Sequence, residues 1–229
     1  MSFDLKKVVL GVVAAMAGTS ALAADFPVGR AKVMLPDDGW RAIVIPDKGL
    51  DYGGDFNGTL NSETKVFVKE STDKTVQAII VVRGTSGGIA HGRMSYTADC
   101  KGDKNWYAQG NNGFNRHFVE CLSGLRAFSA DSVVKPLAPQ AYEALKSETA
   151  KLATNYQTLV THYGNSNGTF LNVRLFVADG FKGREGKVEN LPDGFDTKTL
   201  AWGQDLMAAT KDCVTSMSGK LVIPPIEFD

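Results

Sequence analysis

The sequence predicts an α+β fold, a mainly antiparallel β-sheet covered by two amphipathic helices in the C-terminal half. Three observations predict it. Between residues 31 and 125, short β-prone runs are punctuated by turn residues, and no helical stripe exceeds about two turns. After Pro136 and Pro139 the apolar residues recur instead at spacings of three and four. The resulting order of strands, helix, hairpin and helix lacks the regular strand and helix alternation of a doubly wound dinucleotide fold.

The first half supplies the strands. Candidates are residues 30–34, 40–45, 65–69, 76–83, 92–98, 106–109 and 117–122. Thr64-Lys65-Val66-Phe67-Val68-Lys69 alternates polar with apolar, which gives a strand one wet and one buried face. Val76-Gln77-Ala78-Ile79-Ile80-Val81-Val82 is nearly continuous in apolar residues and is expected at the centre of the sheet. Asp37-Asp38-Gly39, Asp51-Tyr52-Gly53-Gly54 and Gly110-Asn111-Asn112-Gly113 provide turns, since Gly, Asn and Asp tolerate turn dihedrals.

The second half supplies the helices. Tyr142, Leu145, Thr149, Leu152 and Tyr156 fall on one face of a helix predicted over 139–156, with Pro139 in its first turn. A hairpin follows, with strands over 158–163 and 169–178 flanking Gly164-Asn165-Ser166-Asn167-Gly168. Residues 179–196 lack apolar periodicity and read as an exposed loop. A second helix is expected over 196–218, with Asp196 as N-cap and Gly219 as its stop. Leu200, Met207, Val214 and Met217 share its inner side, extended by Leu206 and Cys213. In element order alone, an antiparallel sheet with covering helices is similar to the α/β/α sandwiches of the PsbP and Mog1 type.

Residues 1–23 read as a cleaved secretory signal peptide: Lys6 and Lys7, an apolar run over 8–18, then Ala21-Leu22-Ala23. The apolar run is shorter than the roughly 20 residues a bilayer-spanning helix needs. Residues 24–229 are then expected to form a single α+β domain in the periplasm or outside the cell, without a transmembrane anchor in the mature chain. Without Lys6, Lys7 and Asp4, 23 basic residues face 24 acidic ones. That balance argues against a nucleic-acid partner and against a polybasic membrane binder.

Cys100, Cys121 and Cys213 allow one disulfide and one spare thiol. Cys100 with Cys121 is the expected pair, because both sit at strand ends around a Gly- and Asn-rich loop of twenty residues. In the chain-entropy account, closing such a loop stabilises by about 3 kcal/mol. Cys213 lies in a helical pattern and is expected to be a buried apolar residue.

Two Gly-x-Ser-x-Gly matches, 84–88 and 164–168, would place a nucleophile at Ser86 or Ser166, with His91 or His162 as its base. A nucleophile elbow needs a sharp strand-to-helix turn, whereas Ser86 precedes another β-prone run and Ser166 sits at a hairpin tip. Both matches therefore read as turn composition. Three histidines and three cysteines without close ligand spacing predict no metal site, and no cofactor motif is present. The most distinctive stretch is 99–120, where Trp106, Tyr107, Phe114, Arg116 and His117 are interleaved with Asn and Gly. Rigid aromatic area, adaptable amides and a guanidinium are residue types favoured at recognition surfaces. The expectation is an exported soluble protein with a non-catalytic binding or assembly role, using this disulfide-bracketed aromatic hairpin to hold a protein or small ligand of the cell envelope. The alternatives are a small serine hydrolase and a subunit of a cell-surface assembly.

Overall fold

A computed structural model describes residues 25–45, 61–87, 106–111, 118–165, 168–189, 191 and 193–229. In chain order the elements are β1 (Asp25–Val28), β2 (Ala31–Met34), β3 (Trp40–Ile43), β4 (Asn61–Glu70), β5 (Thr75–Gly87), β6 (Trp106–Asn111) and β7 (Phe118–Ser129). There follow α1 (Ala130–Leu137), α2 (Pro139–Ser147), β8 (Lys151–Leu152), β9 (Asn155–Asn165), β10 (Phe170–Ala178), α3 (Thr197–Thr215) and β11 (Lys220–Val222). The fold is α+β and mostly antiparallel, with three helices among the described residues rather than two.

The larger sheet has the order β3-β4-β5-β10-β9-β7-β6, with β8 alongside β5. Among the described strands, only the short β5–β8 pairing in it is parallel. The apolar run at 76–82 lies in β5, between β4 and β10, as its double-sided burial requires. A smaller sheet, β1-β2-β11, adds the parallel pairing of Lys220–Val222 with β2.

Strand alternation divides the interior into two clusters. Along β5, Ala78, Ile80 and Val82 join one cluster, and Ile79 and Val81 the other. A bulge opposite Lys69 and Glu70 leaves Gln77 without a β4 partner, which brings Val76 into the cluster of Ile79. The first cluster contains Leu200, Trp202, Leu206 and Cys213 of α3. The second contains Val133 and Val134 of α1, and Ala141, Tyr142 and Leu145 of α2.

The helix expected over 139–156 ends at Ser147. Thr149 adopts φ 56°, Leu152 enters β8, and Tyr156 is fully buried in β9. A spacing of four suits both a helical stripe and one face of a strand, so Leu152 and Tyr156 satisfied the wrong period. The Tyr156 hydroxyl donates to the Val76 carbonyl at 2.7 Å and accepts from the Ala153 amide at 3.0 Å. α1 is an additional helix, with Pro136 near its C-terminal end. β7 runs seven residues beyond the expected 117–122, to Ser129.

α3 begins where predicted, at Asp196, but ends at Thr215 with Ser216 as its C-cap, short of the expected 218 and of Gly219 as the stop. The Asp196 carboxylate accepts from the amides of Lys198 at 3.2 Å and Thr199 at 2.9 Å, and Gly219 takes φ 60° beyond the C-terminus. Met217 is exposed, because the helix stops at Thr215. Among its described residues the segment after β10 has no regular strand or helix, yet it is not wholly exposed: the Phe181 ring meets Trp202 edge-on at 5.6 Å, and Phe195 is buried. The predicted strand at 92–98 lies outside the described residues. Among the described residues, no helix is long and apolar enough to cross a membrane.

Candidate functional site

A groove of about 960 Å³ lies where α2 faces β4, β5 and β10. Its floor is fixed by strand register. Thr64 stands opposite Arg83, and Arg83 opposite Asn172; one step along, Val66 stands opposite Val81, and Val81 opposite Arg174. Because residues two apart on a strand share a face, all six side chains project to the same side. One helix face forms the wall, with Gln140, Glu143, Ala144 and Ser147 at spacings of three and four. Val44 and Ile45, just past β3, close one end.

Two arginines give the groove its polarity. Arg174 Nη1 donates to the backbone carbonyl of Leu137, the last residue of α1, joining sheet floor to helix corner. Arg83 Nε donates to Ser62 Oγ at 3.3 Å, which orients its guanidinium on the neighbouring strand. Among the described lining residues, Glu143 is the one acid, exposed on the helix. The remaining walls are mainly apolar. Val44 is 94% exposed, although two residues of the same type, Val66 and Val81, are buried in the floor.

The row Thr64, Arg83 and Asn172 continues through His162 on β9 and Cys121 on β7. His162 is buried, its Nδ1 lies 3.4 Å from Asn172 Nδ2, and its ring stacks on Phe170 with centroids 6.1 Å apart. Contact with the amide nitrogen as donor requires the Nδ1 atom to accept.

The structure places the sequence-predicted residues differently from one another. Ser86 is exposed inside β5, at a register slip that leaves it without a β4 partner. A bulged position in an antiparallel strand is not a nucleophile elbow. His162 lies two strands away, on β9. His91 and Ser166 lie outside the described residues. Tyr107 points inward: it is 5% exposed, its ring is 6.4 Å from that of Phe195, and its hydroxyl donates to Gln109 Oε1 at 2.9 Å. Burial pushes its pKa up, against a lowering hydrogen bond with Gln204. Trp106, on the opposite face of β6, is half-buried against the α1–α2 cluster. Phe114, Arg116, His117 and Cys100 lie outside the described residues. Cys121 is fully buried, and Cys213 is a free, buried thiol.

Arg83 and Arg174 were missed by sequence reasoning, although a signal existed. Arg83 ends the apolar run of β5, and Arg174 interrupts that of β10 between Val173 and Leu175. A charge within a central strand calls for a specific partner or task.

Among the described residues, no group of three or more His, Cys, Asp or Glu side chains is placed to hold a metal. No protein-family model matches the chain, and comparisons with curated proteins and with solved structures find no match.

Proposed function

We propose that this is an exported, non-catalytic binding protein whose ligand site is the groove between α2 and the sheet. The observation that carries the reading is the groove itself. Its volume of about 960 Å³ lies in the range of about 300–1,000 Å³ typical of small-molecule sites, and it has the usual mixture of apolar walls and a few convergent polar groups. The aromatic hairpin supports the reading less well. Tyr107 spends its ring on the core, so recognition by that hairpin would fall to Phe114, Arg116 and His117.

Export to the periplasm or exterior belongs to the same proposal, supported by the charge and apolar pattern of residues 1–23. The Cys100–Cys121 bridge belongs to it too, supported by Cys213 being a free, buried thiol.

The test is equilibrium binding of the uncharged fluorescent probe N-phenyl-1-naphthylamine. Saturable binding at one site is expected, weakened at least tenfold by Ala144→Trp, which fills the groove from the half-buried wall. The melting transition of the variant, followed by circular dichroism, should stay within a few degrees of the wild type. Absence of saturable binding, or unchanged binding in a folded Ala144→Trp variant, would overturn the assignment.

A further inference from the structure

Resting on the reading of the groove as a ligand site, we infer that the part of the ligand it holds is a single aliphatic chain, laid between α2 and the floor of β4, β5 and β10. Where the described lining is apolar it is aliphatic, through Val44, Ile45, Val66, Val81, Leu137 and Ala144 among others, and no described lining residue carries an aromatic ring. A planar aromatic ligand gains from offset or edge contact with other rings, and this lining offers none.

The two arginines of the lining are engaged by the protein itself. Arg174 is tied to the Leu137 carbonyl at the α1–α2 corner, and Arg83 to Ser62 at 3.3 Å. Recognition of the chain therefore needs no ion on the ligand. The backbone of the floor is satisfied as well, since β5 is hydrogen-bonded to β4 and β10, and β10 to β5 and β9. A ligand rich in polar atoms would bury them against Val66, Val81 and Ala144 without partners, which costs free energy for each unpaired group. Hydrocarbon carries no such cost.

Length separates a chain from a compact ligand. From Pro139 to Ser147 the helix wall advances about 12 Å, at about 1.5 Å per residue. Val44 and Ile45, past the end of β3, continue the aliphatic surface at one end. Val44 is left almost wholly in water by the fold, so a hydrocarbon that covers it removes apolar surface from water that the protein alone does not bury. A compact ligand would leave part of this length uncovered, whereas a flexible chain follows it.

The folded protein is titrated by calorimetry with octanol, decanol and dodecanol, each below its solubility limit. One site is expected, with affinity rising about threefold for each added methylene, and dodecanol is expected to displace N-phenyl-1-naphthylamine. Cyclododecanol carries the same number of carbons and the same hydroxyl in compact form. After each affinity is divided by the compound's octanol–water partition coefficient, dodecanol should exceed cyclododecanol by at least about threefold, the gain from burying one or two further methylenes. Val44→Asp, at an exposed position, should weaken dodecanol by a similar factor while leaving the melting transition unchanged. The inference is overturned by absence of dodecanol binding, by an affinity that does not grow from octanol to dodecanol, by equal corrected affinities for chain and ring, or by unchanged dodecanol binding in Val44→Asp. The first three are decided on the wild-type protein alone. Any of them, together with saturable binding of the uncharged probe that Ala144→Trp weakens, would leave the groove standing as a ligand site and remove only the aliphatic chain.

Discussion

Arg174 of β10 donates a hydrogen bond to the backbone carbonyl of Leu137, the residue at which α1 ends. A charged side chain in a central strand thus satisfies an orphan helix-terminal carbonyl and sets the height of the α1–α2 corner above the sheet. Arg174→Met keeps the packing stem and removes the donor. It is expected to destabilise the fold by about 1–3 kcal/mol, the range for a hydrogen bond to a charged group with its partner left behind. Urea unfolding at pH 7 measures the difference, and an unchanged midpoint would show that the bond contributes nothing net.

Asp196 caps α3 through two backbone amides. Asp196→Ala should cost about 1 kcal/mol, while Asp196→Ser, which retains a capping oxygen, should recover most of it. Paired denaturation curves for the two variants check the order, and equal losses would assign the effect to charge rather than to capping.

The close seat of α3 on the sheet depends on missing side chains. A Cβ on Gly124 of β7 would lie 2.7 Å from Leu200 Cδ2, and one on Gly203 of α3 would lie 3.0 Å from Leu122 Cδ1. Gly124→Val is predicted to overpack this contact and destabilise by about 1–3 kcal/mol. A Gly124→Val, Leu200→Ala double variant should regain part of the loss. If it is as unstable as the sum of the single changes, the Gly124–Leu200 contact is not the cause.

Thr158 of β9 is fully buried, and its hydroxyl has no hydrogen-bond partner among the described residues. Replacing it with Val removes the unpaired hydroxyl at nearly constant shape, so Thr158→Val should be neutral or stabilise by up to about 1–2 kcal/mol. A loss of more than about 1 kcal/mol in thermal unfolding would mean that the hydroxyl is satisfied in solution, for which an internal water is the simplest agent.

Burial pushes the Cys213 thiol up to about 11, and its Sγ lies 3.2 Å from the Gly219 carbonyl. At pH 8 the native protein should therefore resist alkylation at this position, while protein unfolded without reductant should take up one label, located at Cys213 by peptide mapping. Rapid native labelling of Cys213 would show that the α3 C-terminus opens readily.

The sequence determined by itself whatever depends on local period and local chemistry. Alternation at 64–69 and the apolar run at 76–82 specify strands and the number of faces they bury, because a side chain's direction in a strand repeats every two residues. Asp196 starts α3 because a carboxylate before a first turn satisfies helix amides without help from elsewhere. Only the tertiary structure decided the path of 149–156, where a spacing of four fits either element and burial of Tyr156 against Val76 selects the strand. It also turned Tyr107 inward, since β6 can pair with β7 in this register only with that ring on the Phe195 side. The groove belongs wholly to the tertiary level. Arg83 and Arg174 are 91 positions apart in sequence, and it is the antiparallel pairing of β5 with β10 that sets them diagonally on one face beneath α2. Hydrogen-bond register between strands far apart in the chain is chosen by the total burial it achieves, and no local pattern encodes that sum.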